Sequence, residues 1–281
     1  MTFRLARIDD RPGLLDDHDG WHDLERLGSA QGAGSLPDAD ALHRLSATLD
    51  PSSADGDLES ARASGRLGSP IPIPRNSFAI GLNYGDHAAE SSIEVPETPL
   101  VFTKFPSCIS GPDADVELRS SYADWEVELV VIIGSTCRDV AAENAWDHVF
   151  GLTVGQDISD RALQFAAQPP HFDLGKSRDG YGPIGPVVVS LDAVEDHTDL
   201  AITCDINGTR RQDSRTSSML FDVPTLIEYL SGILTLEPGD IIFTGTPDGV
   251  GAAQKPPVFL QAGDTIVSTI EGIGTITNRC V

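Results

Sequence analysis

The chain has 281 residues, 40% of them hydrophobic and 22% charged, with a formal net charge of -24 at pH 7. That size and balance fit a globular protein with a sizeable core, and the charge argues against a nucleic-acid partner, because phosphate binding needs basic stripes. An anionic substrate fits only where a cation and a few Arg or Lys residues reverse the local field.

No apolar run approaches membrane-spanning length, and the N-terminus lacks the apolar core of a signal peptide. The four cysteines (Cys108, Cys137, Cys204 and Cys280) show no C-x-x-C spacing. They are expected to be buried free thiols in a cytoplasmic protein with no membrane partner.

Residues 1–70 differ in texture from the rest. Residues 2–8 alternate and predict a short strand, with Phe3 and Leu5 as its apolar side. Residues 37–49 set Leu42 and Leu45 behind Asp38 and Asp40, which predicts a short helix with an acidic first turn. Small and polar residues cluster as loops at 52–56 and 64–69. The expectation is a small, poorly cored N-terminal subdomain with a linker, and His18, His22 and His43 at its surface.

Beyond residue 70, Phe78-Ala79-Ile80-Gly81-Leu82 predicts an apolar strand, followed by Asn83-Tyr84-Gly85-Asp86-His87-Ala88-Ala89-Glu90. If that segment is helical, His87 and Glu90 lie three apart on one face, within hydrogen-bonding reach. The proline-punctuated stretch through Pro99 suits a mobile loop. Leu100-Val101-Phe102-Thr103-Lys104-Phe105 predicts another strand.

Asp124-Trp125-Glu126-Val127-Glu128 then runs into the β-branched stretch Leu129-Val130-Val131-Ile132-Ile133, a buried strand ended by Gly134. Alternation places Glu126 and Glu128 on one face, roughly 7 Å apart at the backbone. Two such carboxylates repel unless water or a cation lies between them, and a hard cation such as Mg²⁺ takes oxygen ligands. Alone, the pattern fits an acidic, solvated strand face equally well.

Residues 139–149 read as a helix capped by Asp139 and stopped at Gly151. Residues 151–158 return to the sheet and bring in Asp157, and one helical turn follows with Arg161 and Gln164 three apart. Gly175-Lys176-Ser177-Arg178-Asp179-Gly180 is a tight turn carrying one lysine, ahead of Pro183-Ile184-Gly185-Pro186 and a strand over 187–191. Neither stretch forms a P-loop, so no nucleotide is expected.

Residues 200–206 with Asn207-Gly208 predict a hairpin on a type I′ turn. Residues 222–233 predict the best helix, with Asp222 as cap, Pro224 in the first turn and an apolar stripe of Leu226, Ile227, Leu230 and Ile233. Two turn-plus-strand units, at 238–243 and 263–267, bracket Thr244-Gly245-Thr246-Pro247-Asp248-Gly249-Val250-Gly251, whose backbone amides can hold a carboxylate. Short strands, few helices and no regular βαβ alternation indicate an α+β protein with a mixed or antiparallel sheet.

Taken together, these segments resemble the fumarylacetoacetate hydrolase family, in its acylpyruvate hydrolase and oxaloacetate decarboxylase-like branch. The resemblance is carried by Gly81-Leu82-Asn83-Tyr84 with His87 and Glu90, by Asp124-Trp125-Glu126-Val127-Glu128, and by Asp157-Ile158-Ser159 with Arg161 and Gln164. It continues through Gly175-Lys176-Ser177, Pro183-Ile184-Gly185-Pro186 and Thr244-Gly245-Thr246-Pro247 to Gly251. It runs from about residue 75 to the C-terminus, and residues 1–70 contribute little to it.

The resemblance implies a catalytic mixed β-sandwich roll over residues 71–281, a homodimer, and a Mg²⁺ or Mn²⁺ site. It implies Glu126, Glu128 and Asp157 as metal ligands and Lys176 beside the metal. Arg161, Gln164 and Thr246 match substrate contacts, and His87 and Glu90 match a dyad carried on a lid. The plainer role for Arg161 and Lys176 is ion pairing with the metal carboxylates.

The expected reaction is hydrolysis of a C–C bond in a 1,3-diketo acid of the acylpyruvate type, a small anionic 2-oxo acid. His87, oriented by Glu90, would activate water, and Lys176 would face the developing oxyanions. Decarboxylation of an oxaloacetate-like acid, isomerisation of an unsaturated oxo acid, and a carboxylate-binding module without chemistry stay open. Residues 165–173 and 178–182 depart from the family pattern, which leaves the substrate open too.

Overall fold

Residues 2–29, 34–85 and 96–281 are described by the computed structural model. The stretch carrying His87 and Glu90 lies outside them. Apolar and β-branched runs form β1 (Arg4–Ile8), β2 (Arg11–Leu15), β3 (Gly20–Asp23), β4 (Gly56–Asp57), β5 (Ser77–Gly81), β6 (Leu100–Thr103), β7 (Ile109–Ser110), β8 (Ala123–Asp124) and β9 (Val127–Ile133). The later strands are β10 (Val149–Gln156), β11 (Ser159–Asp160), β12 (Gly182–Val189), β13 (Ala201–Ile206), β14 (Thr209–Arg215), β15 (Ile241–Phe243), β16 (Thr265–Ile270) and β17 (Gly274–Arg279).

One large sheet runs β4-β3-β2-β1-β12-β10-β9-β15-β5-β6, with β7 beside β12. It is mixed: β15 on β5 and β7 on β12 are parallel pairs. A second, antiparallel sheet, β14-β13-β16-β17, packs over β9, β10 and β12. The continuous apolar run of β9 follows from its central place. Leu129, Val131 and Ile133 enter one core cluster, while Val130 and Ile132 enter another on the opposite face. The architecture is the mixed α+β roll expected from the sequence.

The first strands are well cored, contrary to the expectation for that stretch. β1 pairs antiparallel with β12, Arg4 opposite Val189 and Leu5 opposite Val188. Phe3, Leu5, Leu14, Leu24 and Leu42 are buried in the core on that face. Their packing partners come from distant parts of the chain, so local texture underestimates their burial. His22 is likewise buried, its Nε2 lying 2.9 Å from Asp16 Oδ2.

Other boundaries also differ. The segment read as a helix over 139–149 is a 3-10 helix, Ala142–His148. Asp139 sits at φ 51° and does not cap it, and Glu228 Oε1 accepts from the Ala142 amide at 3.1 Å instead. Helix Val223–Ser231 is capped as expected, with Asp222 accepting from the Thr225 amide at 3.0 Å. Leu226, Ile227 and Leu230 are buried, but the helix ends before Ile233, which is 66% exposed.

β12 begins at Gly182, ahead of the strand read from the sequence, and contains both Pro183 and Pro186. Asn207 and Gly208 both have positive φ (51° and 74°), as a type I′ turn between β13 and β14 requires. All four cysteines are free and buried. No helix among the described residues is long and apolar enough to cross a membrane.

Candidate active site

The antiparallel pairing of β9 with β10 builds the centre of the site. Gln156 lies opposite Val127, and Gly155 lies opposite Glu128. The next residue, Asp157, donates its amide to the Glu126 carbonyl at 2.9 Å. Glu126, Glu128 and Asp157 therefore converge, all buried, with one carboxylate oxygen from each within 4.8 Å of the others. Two glutamines lock the backbone between the glutamates. Gln156 Oε1 accepts from the Glu126 amide at 2.9 Å, and Gln212 Oε1 from the Val127 amide at 3.0 Å.

Three cations surround this trio. Lys176 Nζ reaches Glu126 Oε2 at 2.5 Å and Asp157 Oδ2 at 2.8 Å. Arg161, opening the short helix Arg161–Gln164, donates from Nε to Asp124 Oδ2 at 2.9 Å and places Nη2 2.7 Å from Glu126 Oε1. Its Nη1 donates to Gln164 Oε1 at 3.0 Å. Lys104, fully buried, reaches Asp157 Oδ1 at 2.6 Å and the Tyr181 carbonyl at 3.1 Å, and also the Lys176 carbonyl. The pairing of Arg161 and Lys176 with the acidic residues is the plainer role weighed for them from sequence.

Glu128 is different. Among the described residues no cation lies within ion-pair distance of it, and its Oε2 accepts from the Gly245 amide at 2.7 Å. Burial, then the neighbouring charges of Asp157 and Glu126, push its carboxyl well above the usual range. The loop after β15 does hold carboxylates, but they are the protein's own. Besides Gly245 on Glu128, the Gly251 and Ala252 amides donate to Asp124 at 2.7 and 3.0 Å. Glycine is required at Gly245, which has φ 97° and whose Cβ would lie 2.7 Å from Asn83 Cβ.

Among the described residues, four buried carboxylates (Asp124, Glu126, Glu128 and Asp157) thus face three largely buried cations (Lys104, Arg161 and Lys176), one fewer than the acids. Hard oxygen donors, more acids than cations and a buried glutamate with no cation partner among the described residues fit Mg²⁺ or Mn²⁺. Glu126, Lys176, Arg161, Gln164 and Thr246 form the polar floor of a cavity of about 550 Å³, whose other wall is mostly apolar. Thr246 lines it, but its hydroxyl is engaged with protein, donating to the Val127 carbonyl at 2.9 Å and accepting from Gln212 Nε2 at 2.8 Å.

Seven of the nine site residues anticipated from sequence meet here, while His87 and Glu90 lie outside the described residues. Lys104, Asp124, Gln156 and Gln212 were not singled out as site residues. The available signals were a lone lysine closing an apolar strand and a glutamine just ahead of Asp157.

Buried acids and their cations thus stand beside a largely apolar cavity in a mixed β-roll. The family model described as Fumarylacetoacetate (FAA) hydrolase C-terminal matches residues 76–281. The chain is 41% identical to the mitochondrial oxaloacetate tautomerase fahd2 of Xenopus laevis, over 79% of this chain and 70% of that protein. It is also similar to the solved structure of a fumarylacetoacetate hydrolase from psychrophilic Exiguobacterium antarcticum. That likeness has 35% identity and a TM-score of 0.81, covering 100% of this chain and 99% of the other. A fumarylpyruvate hydrolase from Pseudomonas aeruginosa, in complex with Mn²⁺ and pyruvate, matches at 31% identity and a TM-score of 0.68, covering 75% and 90% of the two chains. The chain belongs to the fumarylacetoacetate hydrolase family.

Proposed function

We propose that the protein is a divalent-metal-dependent hydrolase that cleaves a C–C bond in a 2,4-dioxo acid of the acylpyruvate type. The carrying observation is the two-sided cavity: charged and amide groups at its floor, and an apolar wall with room for a carbon chain beyond a 2-oxo acid head. Glu126, Glu128 and Asp157 would hold Mg²⁺ or Mn²⁺, which when bound neutralises charge on the 2-oxo acid and polarises its carbonyl. The Mn²⁺ and pyruvate in the similar fumarylpyruvate hydrolase support that reading.

The chain's own residues divide the remaining work. Arg161, fixed by Asp124 and Glu126 and bonded to Gln164, presents donors to the substrate carboxylate. Thr246 lines the same cavity and contributes a substrate contact there. Lys176 donates to developing negative charge on oxygen. His87, oriented by Glu90, takes the proton of the attacking water. This reading keeps the homodimer that the family resemblance implies and the cytoplasmic location expected from the cysteines.

A second reading, enol–keto interconversion or decarboxylation of oxaloacetate, is favoured by the tautomerase relative, since both reactions need electron withdrawal at the 2-oxo acid and no attacking water. The two separate at His87. His87→Ala should lower acylpyruvate cleavage by about 10²–10⁴-fold, while decarboxylation of oxaloacetate, which needs no attacking water, falls far less. Steady-state rates with both acids at saturating Mg²⁺, read by product identity, decide between them. Unimpaired acylpyruvate cleavage in His87→Ala would exclude water activation by that residue.

A further inference from the structure

Three phenylalanines lead from the charged floor of the cavity to its mouth. The Phe102 ring, 8% exposed, lies 5.3 Å from Lys176 Nζ. Phe172 meets it edge-on with centroids 5.5 Å apart, and Phe165 meets Phe172 the same way at 6.1 Å. Phe165, at the outer end, is 50% exposed. The middle ring is held in place. Asp173 Oδ1 accepts from the Thr103 amide at 2.7 Å, tying the segment to the end of β6, and the Phe172 carbonyl accepts from the Lys176 amide at 3.1 Å.

The charges along the cavity are distributed the other way. Arg161 and Lys176 are already paired with Asp124, Glu126 and Asp157. Among the described residues that line the cavity, the remaining cation is Lys255, exposed at the rim. A carboxylate on the far end of the substrate would be desolvated against phenyl rings. An uncharged tail would cover rings that otherwise face water.

We infer that Phe102, Phe172 and Phe165 form an aromatic track that selects substrates whose acyl group is uncharged and apolar, an aryl group above all. The inference rests on the reading of the floor as a 2-oxo acid site. Two of the three rings, Phe165 and Phe172, lie in the stretch between Gln164 and Lys176.

The test is isothermal titration of the Mg²⁺-loaded full-length protein with pyruvate, 2-oxo-4-phenylbutanoate and 2-oxoglutarate. None of these has a 4-oxo group, so binding is read without hydrolysis. The phenyl acid should bind roughly tenfold or more tightly than pyruvate. Phe165→Ala and Phe172→Ala should each shrink that ratio severalfold. Because the ratio is taken within one variant, a general loss of stability cancels, and the half-exposed Phe165 serves if Phe172→Ala folds poorly.

The track is overturned if the phenyl acid binds no better than pyruvate, or if neither substitution changes the ratio. It is equally overturned if 2-oxoglutarate binds most tightly and Lys255→Ala removes that preference. Failure of all three acids to bind overturns the track and the 2-oxo acid site together. Selective phenyl binding without hydrolysis of any 2,4-dioxo acid overturns the hydrolase reading and leaves the track standing.

Discussion

Glu128→Gln should abolish divalent-cation binding and turnover while making the metal-free protein more stable at neutral pH. Glu128 is buried, lacks a cation partner among the described residues, and faces Asp157 and Glu126. The amide of a glutamine can still accept the Gly245 N–H, so the change removes charge and leaves the packing. In the fold the glutamate carboxyl is raised above its ordinary value of 4.5. The unfolded chain therefore releases this proton at lower pH than the folded chain does. Its contribution to stability is fully present below that ordinary value and is lost as pH rises toward the raised folded value.

Wild-type metal-free protein should accordingly lose stability over that interval, and Glu128→Gln should lack this part of the slope. Mg²⁺ at about a hundred times its Kd stabilises a folded binder by roughly 2.7 kcal/mol. Thermal melting with and without Mg²⁺ should show that gain in wild type and none in the variant. An equal Mg²⁺-dependent rise in both would remove Glu128 from the ligand set.

Lys104→Met should destabilise the metal-free protein by about 3–5 kcal/mol, the usual cost of breaking a buried ion pair from one side. Burial opposes the ammonium charge, but the charge and hydrogen bond of Asp157, together with Cys108 and Glu128 nearby, outweigh it and hold the Lys104 pKa above its ordinary value. A lysine raised in this way contributes fully at neutral pH and loses its effect only at alkaline pH. Methionine approximates the length of the side chain. It abandons Asp157 Oδ1 and the carbonyls of Tyr181 and Lys176 together. Added Mg²⁺ should recover part of the loss, because it supplies Asp157 with another positive partner. Urea denaturation with and without Mg²⁺ measures both effects. A variant within about 1 kcal/mol of wild type, well under that usual cost, would show that the ammonium is not what holds Asp157.

Much of this site was legible because its chemistry is written in short local motifs. Glu126 and Glu128 share a face by strand alternation alone, and Arg161 and Gln164 meet by helical spacing. The features that went unread depend on pairing between distant segments. Lys104 is an ordinary surface residue type until β6 is placed beside the Asp157 turn, and Asp124 gains its role only when Arg161 and the loop at 251–252 close around it. The loop amides were rightly expected to hold a carboxylate, yet local sequence does not say whose. Helix boundaries failed where a neighbouring side chain, Glu228, replaced the local cap. The burial of the first strands was invisible because β12 lies far along the chain.

That last pairing bears on how the protein must be handled and made. The family model begins at residue 76, but a fragment cut there would leave the β12 edge open. The row Val187, Val188 and Val189, buried in the whole chain, would then present unpaired backbone and apolar side chains, a template for strand addition between molecules. Such a fragment is expected to aggregate, as light scattering during expression or refolding would register. In the intact chain Phe3 and Ser190 bond to each other across 187 residues. The N-terminal strand leaves the ribosome long before the edge it covers, so β12 always emerges into a solution that already holds its guard.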